Sequence, residues 1–540
     1  MRLGLSFLAT LLLACAASVT AAQETEVPRI VTQDGRHALL VDGEPFLMLG
    51  AQMNNSSAWP AMMPKVWPVM DTLGVNTLEV PIAWEQIEPR EGEFDFSYLD
   101  LLLAQARERN VRLVLLWFAT WKNTNPQYSP AWVKLDNGRF PRMLAPDGTL
   151  HYALSPHGER TLEADARAFT AFIDHLRQVD PQNTVLMVQI QNEAGSYNLA
   201  RDHSAEANRL FAGPVPDALV QRLGKQPGTW SDLFGRDAEL FFHSWHVASY
   251  IDRIAAAGKA VKPIPMYVNA ALPGSPFKWQ DPNTYASGGP ANTVIDVWKA
   301  AGPNIDLLAP DIYTTDPALY QGFLDAYNRA DNPLMIPETG RTRDYARFFF
   351  AAVGDGAIGW APFGLDHSRF RTSRPVTPLM DAEALAPFAA NYALFRPIAR
   401  LWARLAFEGK TWGFVEPTDP AANHAQAKQI GRYQVTASFG RGDFGNAPPT
   451  GNEYPSGGAA IGQIGPDEFL VTDFNTRIDF AMANPEEANL IFERVEQGHY
   501  DDAGNWVFER VVNGDQVDWG LNFSTAAQLL RVKIATYPKR

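Results

Sequence analysis

The chain predicts an α/β protein: a closed (β/α)8 TIM barrel followed by an all-β, sandwich-like domain. Three observations predict it. Eight short apolar runs recur with helix-sized intervals between them. Two of those runs, Val185-Leu-Met-Val-Gln-Ile-Gln-Asn-Glu193 and Pro333-Leu-Met-Ile-Pro-Glu338, stop on a carboxylate. Past about Arg400 the helical periodicity gives way to short alternating segments.

The first 22 residues read as an export signal. Arg2 is the basic part, Leu3 to Ala17 the apolar part, and Ala21-Ala22 the small residues for cleavage. The apolar part is too short for a permanent span, and no second long apolar run follows, so no integral membrane span is expected. The expected location is periplasmic or secreted. Leu12-Leu13-Ala14-Cys15 offers the alternative of a lipid anchor through Cys15. Cys15 is the sole cysteine, so the mature body has no disulfide.

The barrel is expected over residues 28–400. Its candidate strands are Phe46–Gly50, Asn76–Ile82, Arg112–Phe118, the run ending at Glu193, Ile264–Asn269, Ile305–Asp311, the run ending at Glu338, and Ala357–Trp360. The intervals carry helical spacing. Leu99, Leu102, Leu103 and Ala106 mark one amphipathic face; Phe169, Phe172, Ile173 and Leu176 mark a second; Trp245, Val247, Ile251 and Ile254 a third. Strand then helix, repeated, means parallel pairing with right-handed crossovers. An open doubly wound sheet shares that alternation, but no Gly-rich dinucleotide fingerprint follows the first strand. The intervals after the third and fourth strands are long and proline-rich, which places insertions on the mouth of the barrel. Residues 401–540 make the β domain, with Tyr433–Phe439, Glu468–Asp473 and Trp506–Val512 as strands and Asp501–Asn505 as a turn.

Composition narrows the partner. The formal charge is −14, and no Lys/Arg cluster is present to hold phosphates, so nucleic acid and anionic substrates fit poorly. A neutral ligand fits, and a carbohydrate would use the abundance of Trp, 15 in all, because sugar rings have apolar faces.

Two carboxylates at the C-terminal ends of opposite barrel strands are the minimum equipment for cleaving a glycosidic bond. One must hold a proton for the leaving oxygen, and the other must attack or shield the anomeric carbon. Mutual repulsion raises the proton affinity of one and leaves the other ionised. No cofactor is required and no metal-ligand spacing is present. His243 and His246 lie three apart on a helix without a third ligand, and read as a surface or core pair.

Gln191-Asn192-Glu193 and Glu338 resemble the clan-A retaining glycoside hydrolases. Gly74-Val-Asn76-Thr77, Trp84-Glu85 and Glu88-Pro89-Arg90-Glu91-Gly92-Glu93-Phe94-Asp95-Phe96 are similar to the strand-two segment of family 35, the β-galactosidases, and the resemblance spans roughly residues 30 to 365. It implies that Glu193 is the acid/base, that Glu338 is the nucleophile and that Asn192 binds the sugar 2-hydroxyl. It implies an exo-acting release of terminal β-galactose from oligo- or polysaccharides. Two departures fall on residues that would grip the sugar. Ala194-Gly195 stands where the family has a tyrosine, and Phe118-Ala-Thr-Trp-Lys-Asn123 where it has an Asn-Ala-Glu-like segment. Pro130-Ala131-Trp132 is similar to family 42, another β-galactosidase family. Trp84, Trp121, Asn269, Tyr313 and Trp360 fall at expected strand ends and are the candidates for substrate contact, with Trp360 as the floor of the sugar site. The rivals are a hydrolase for a β-glucoside, β-mannoside or arabinoside, and a non-catalytic carbohydrate-binding barrel.

Overall fold

The computed structural model describes residues 25–368, 380–418, 425–440, 449–501, 503–523 and 528–539. The expected export signal and Cys15 lie outside them. Eight parallel strands close into a barrel: β1 (Met48–Gln52), β2 (Thr77–Ala83), β3 (Arg112–Lys122), β4 (Val185–Asn192), β5 (Met266–Ala271), β6 (Leu307–Ile312), β7 (Ile336–Thr339) and β8 (Gly359–Pro362). Neighbours in the chain are neighbours in the ring, and β8 returns to β1.

The observed strands sit slightly C-terminal to most of the apolar runs. Polar residues such as Gln52, Asn192 and Thr339 still pair in the ladder. Apolar content does not mark them as strand, but the inward-facing ends of a barrel are where polar side chains can meet one another. The segment before β1 also behaves differently from expectation. Glu44–Phe46 pairs antiparallel with Arg36–Val41, which pairs with Arg29–Gln33. Leu39 and Val41 of this small sheet join Val114, Leu116, Phe118, Leu307 and Ala309 in one buried cluster, and so cap the barrel lumen at its far end.

Alternation along β3 sorts its side chains. Val114, Leu116 and Phe118 face the lumen cluster. Leu113, Leu115, Trp117, Ala119 and Trp121 belong to the larger cluster shared with the outer helices. The helices Ser97–Glu108, Glu159–Val179 and Ala238–Val261 supply that outer layer, and each carries one of the three expected apolar faces.

Helices Ala382–Phe395 and Ala399–Phe407 carry the chain past residue 400 before β structure begins at Thr411. Ten strands follow among the described residues: β9 (Thr411–Val415), β10 (Ala425–Ile430), β11 (Tyr433–Phe439), β12 (Gly458–Gly465), β13 (Glu468–Phe474), β14 (Thr476–Met482), β15 (Asn489–Tyr500), β16 (Trp506–Val511), β17 (Leu521–Asn522) and β18 (Gln528–Tyr537). They form a six-stranded sheet, β9-β12-β13-β18-β15-β16, and a four-stranded sheet, β10-β11-β14-β17. Phe414, Val435, Phe439, Phe469, Val471, Ile478 and Val532 share the core of this module.

The six-stranded sheet lies directly on the barrel's helix layer. A Cβ at Gly354 would come within 2.0 Å of the Gly413 backbone nitrogen, so only glycine permits that approach. Beside this seam is a groove of about 960 Å³ lined by Asp316, Gln321, Asp355, Phe414, Gln426 and Lys428, among others. It is not the space over Glu193 and Glu338.

Candidate active site

The site is assembled from the last residues of the barrel strands. Strand β4 ends in a strained turn. Gln191 and Glu193 have φ of 62° and 46°, in the left-handed region that non-glycine residues seldom occupy. The surroundings hold them there. The Trp121 N–H donates to Gln191 Oε1 at 2.9 Å, and Gln191 Nε2 donates to Asp165 Oδ2 at 2.7 Å. Asp165, buried on helix Glu159–Val179, also accepts from Trp117 Nε1 and Thr120 Oγ1. The Glu193 N–H donates to Asn269 Oδ1 at 3.0 Å, and its carbonyl accepts from the Thr124 N–H at 3.2 Å. Past it, Gly195 has φ of 121°, and a Cβ there would lie 2.0 Å from the Ser287 carbonyl oxygen. The tyrosine that the resemblance leads one to expect after Asn192-Glu193 is excluded by this contact if it falls at Gly195.

Strands β4 and β7 stand three places apart in the ring, and their glutamates face one another across its mouth. One carboxylate oxygen from each of Glu193, Asp311 and Glu338 lies within 4.8 Å of the other two. A retaining glycosidase places its two carboxyls about 5–5.5 Å apart and an inverting one about 6.5–9.5 Å, so this separation belongs to the first class. Carboxylates this close could also share a divalent cation.

Glu338 is buried and richly bonded. Its Oε1 accepts from Gln52 Nε2 at 3.1 Å and Asn192 Nδ2 at 3.2 Å, and its Oε2 accepts from the Tyr313 hydroxyl at 2.8 Å. Three donors thus converge on one carboxylate. Glu193 has the opposite surroundings. Burial, then the negative charge of Glu338, raise its pKa to about 7, against the opposing pull of Lys122 and a hydrogen bond with Asp311. The two glutamates are therefore unlike: Glu338 is ringed by three donors, and Glu193 is raised to hold a proton near neutrality.

The expected site residues divide. Asn192, Asn269 and Tyr313 are in the site, by the bonds just given. Trp84, Trp121 and Trp360 are not, which corrects the expectation that they contact substrate. Trp84 is fully buried, donates from Nε1 to Glu88 Oε2 at 2.9 Å and meets Trp132 edge to face. Trp121 points outward on β3, with Nε1 on the Leu154 carbonyl and its ring against Tyr250. Trp360 is 1% exposed, bonded to the Tyr320 hydroxyl and packed among Phe349, Phe388 and Tyr392. In each case the indole fills the space between strand and helix, and no face is left for a sugar. His243 and His246 are core: His243 Nε2 bonds Ser196 Oγ at 3.2 Å, and His246 packs on His157 and Phe242.

Four further groups join the site, of which Asp311 also falls at an expected strand end. Gln52 and Asp311 touch the glutamates or lie beside them, Lys122 acts on Glu193 by charge, and Glu79 is a buried carboxyl whose proton affinity is raised well above normal by burial and by the charge of Glu338. Glu79 had a signal: it is the one charge inside the Asn76–Ile82 run, and its Oε2 accepts from the Tyr267 hydroxyl at 3.5 Å within the lumen.

Comparison with known proteins agrees with this geometry. Residues 55–230 match glycoside hydrolase family 42, described as beta-galactosidase. Residues 388–524 match a domain of unknown function, DUF5597. The match is thus to family 42, towards which Pro130-Ala131-Trp132 points, and the assignment to family 35 is set aside. A β-galactosidase of Xanthomonas manihotis is 28% identical over 215 residues, covering 37% of this chain and 32% of that protein. The chain therefore aligns with about a third of that relative's length. The structure of β-galactosidase from Bacillus circulans sp. alkalophilus superposes with a TM-score of 0.53 at 10% identity, over 91% of this chain and 99% of that one. It shows the shared fold. The β-galactosidase of Marinomonas ef1 gives 0.48 at 13% identity, over 68% and 62%.

Proposed function

We propose that the chain is a retaining, exo-acting β-galactosidase. The observation that carries this reading is the approach of the Glu193 and Glu338 carboxylates within 4.8 Å over one barrel mouth, in environments that set their protonation apart. The family-42 match over residues 55–230 and the partial identity to a β-galactosidase support the choice of sugar.

In the first step a Glu338 oxygen attacks the anomeric carbon while Glu193 gives its proton to the departing glycosidic oxygen. The C–O bond breaks, and a glycosyl ester with Glu338 forms. Oε2, holding one donor against two on Oε1, is the better-placed nucleophile. In the second step the deprotonated Glu193 takes a proton from water, whose oxygen attacks the same carbon and frees Glu338. Asn192 Oδ1 is buried and has no partner, so it is an acceptor available to a substrate hydroxyl. The N-terminal leader would export the enzyme to the periplasm or medium, where oligo- and polysaccharides are met.

Glu338→Gly removes the nucleophile and leaves room for a small anion. With azide it should regain turnover and release α-galactosyl azide from an activated β-galactoside, because azide then makes a single displacement from the face that Glu338 occupied. A folded variant that azide does not rescue would overturn the assignment. A panel of nitrophenyl glycosides tests the sugar, and faster turnover of a glucoside, mannoside or arabinoside would replace galactose.

A further inference from the structure

The glutamate pair is a trio in space. Asp311, at the end of β6, pairs in register with Glu338 on β7. Its Oδ2 accepts from Asn269 Nδ2 at 2.7 Å, and Asn269 Oδ1 takes the Glu193 N–H. That leaves Oδ1, which is buried and has no donor directed at it. One Asp311 oxygen nevertheless lies within 4.8 Å of one of Glu193. Two carboxyl groups can share a hydrogen bond only when one of them carries a proton.

The surroundings decide which. Glu338 takes three donors. Asp311 is 3% exposed and has one neutral donor. The charges acting on it are Glu338 from β7, Glu193 past β4, Glu79 from β2 and Lys122 from β3. The hydroxyls of Tyr313 and Tyr267 add no charge of their own in neutral form. Four carboxyl groups thus face one ammonium, and burial followed by the Glu338 and Glu193 charges pushes the Asp311 proton affinity well above normal.

We propose that Asp311 keeps its proton throughout turnover and donates Oδ1–H to Glu193, as a positioning residue for the acid/base. The proposal rests on the hydrolase reading above. When Glu193 loses its proton to the leaving group, its new charge meets a hydrogen bond already in place. When Glu193 regains a proton from water, Asp311 has neither gained nor lost one. The bond also fixes the direction of the Glu193 carboxyl between the two steps.

Asp311→Asn is the discriminating variant. Its amide oxygen can replace Oδ2 as the acceptor for Asn269, and its amide N–H can replace the acid proton. We expect kcat/KM to stay within about fivefold of the parent, with the alkaline limb of its pH profile unmoved. Asp311→Ala removes the donor and should lower kcat/KM by about 10- to 100-fold. An ionised Asp311 would give a different result: its replacement by Asn would relieve Glu193 of a negative neighbour and move that limb to lower pH by about a unit or more, which overturns the proposal. Infrared difference spectra at mildly alkaline pH give a reading independent of turnover. Loss of a protonated-carboxyl C=O band in Asp311→Asn supports the proposal, and an unchanged band region overturns it. Should the parent hydrolyse no glycoside, the hydrolase reading falls while the infrared result still decides the Asp311 proton.

Discussion

Glu193 and Glu338 are the same amino acid with opposite tasks, and their neighbours make the difference. Burial and the Glu338 charge raise Glu193 to about 7, so the proton it must donate is present below that pH and lost above it. We therefore expect kcat/KM for an alkyl galactoside to fall along an alkaline limb centred near 7, measured as initial rates across pH. Glu193→Gln should lower kcat/KM for poor leaving groups by about 10²- to 10⁴-fold and spare dinitrophenyl galactosides, whose departure needs no acid. Equal losses on both would show that Glu193 is not the acid. The positions of these glutamates were legible in the sequence because each closes an apolar run. Asp311 also closes one, but nothing in its spacing shows that it stands beside the two glutamates; the β6–β7 register sets it against Glu338, and closure of the ring brings Glu193 to both. Trp121 and Trp360 misled because proximity to a strand end says nothing about which face a side chain occupies. On β3 the inward parity belongs to Val114, Leu116 and Phe118, and the indoles alternate away from it.

Among the elements, helix Ala238–Val261 forms the wall behind the turn that carries Glu193. Ser196 Oγ donates to the Leu199 carbonyl at 2.7 Å, so its contact with His243 is one in which His243 Nε2–H donates. His243 Nδ1 is then a buried acceptor without a partner. Burial, followed by the neighbouring His157, lowers His243 and His246 to about 3. The unfolded chain binds these protons first, so their contribution is complete above the ordinary histidine value and is lost as pH falls from about 6.5 towards 3. At about pH 4.5 each neutral buried ring should lower stability by about 2–3 kcal/mol. Urea melts of His243→Gln should accordingly lose less stability between about pH 7.5 and 4.5 than those of the parent, by that amount. An identical decline would show that His243 is not responsible. The helix itself was readable from its periodicity. The helices Ala205–Phe211, Asp217–Arg222 and Trp230–Phe234 in the insertion before it were not, because runs of five to seven residues offer too little period to detect.

For the whole molecule, the eightfold alternation of strand and helix was enough to specify the ring, since short crossovers leave parallel strands few ways to close. The seam between ring and β module was hidden, because it depends on glycines meeting across more than fifty residues of chain. Val415, Ala460, Leu470 and Leu529 of the module share one buried cluster with Trp402, Phe350 and the barrel's other helices. A chain ending near residue 408 would expose that apolar seam to water. We expect it to be insoluble or to lack the near-ultraviolet circular dichroism of a packed core. A soluble and fully active truncation would show that the barrel needs no cover. The glycine contact at Gly354 and Gly413 carries this further. Backbones pressed that tightly leave no slack for a hinge, so the acidic groove beside them keeps a fixed width. Anyone wishing to fuse this catalyst to a foreign binding module should treat all of residues 25–539 as one cassette and attach the newcomer at its outer ends.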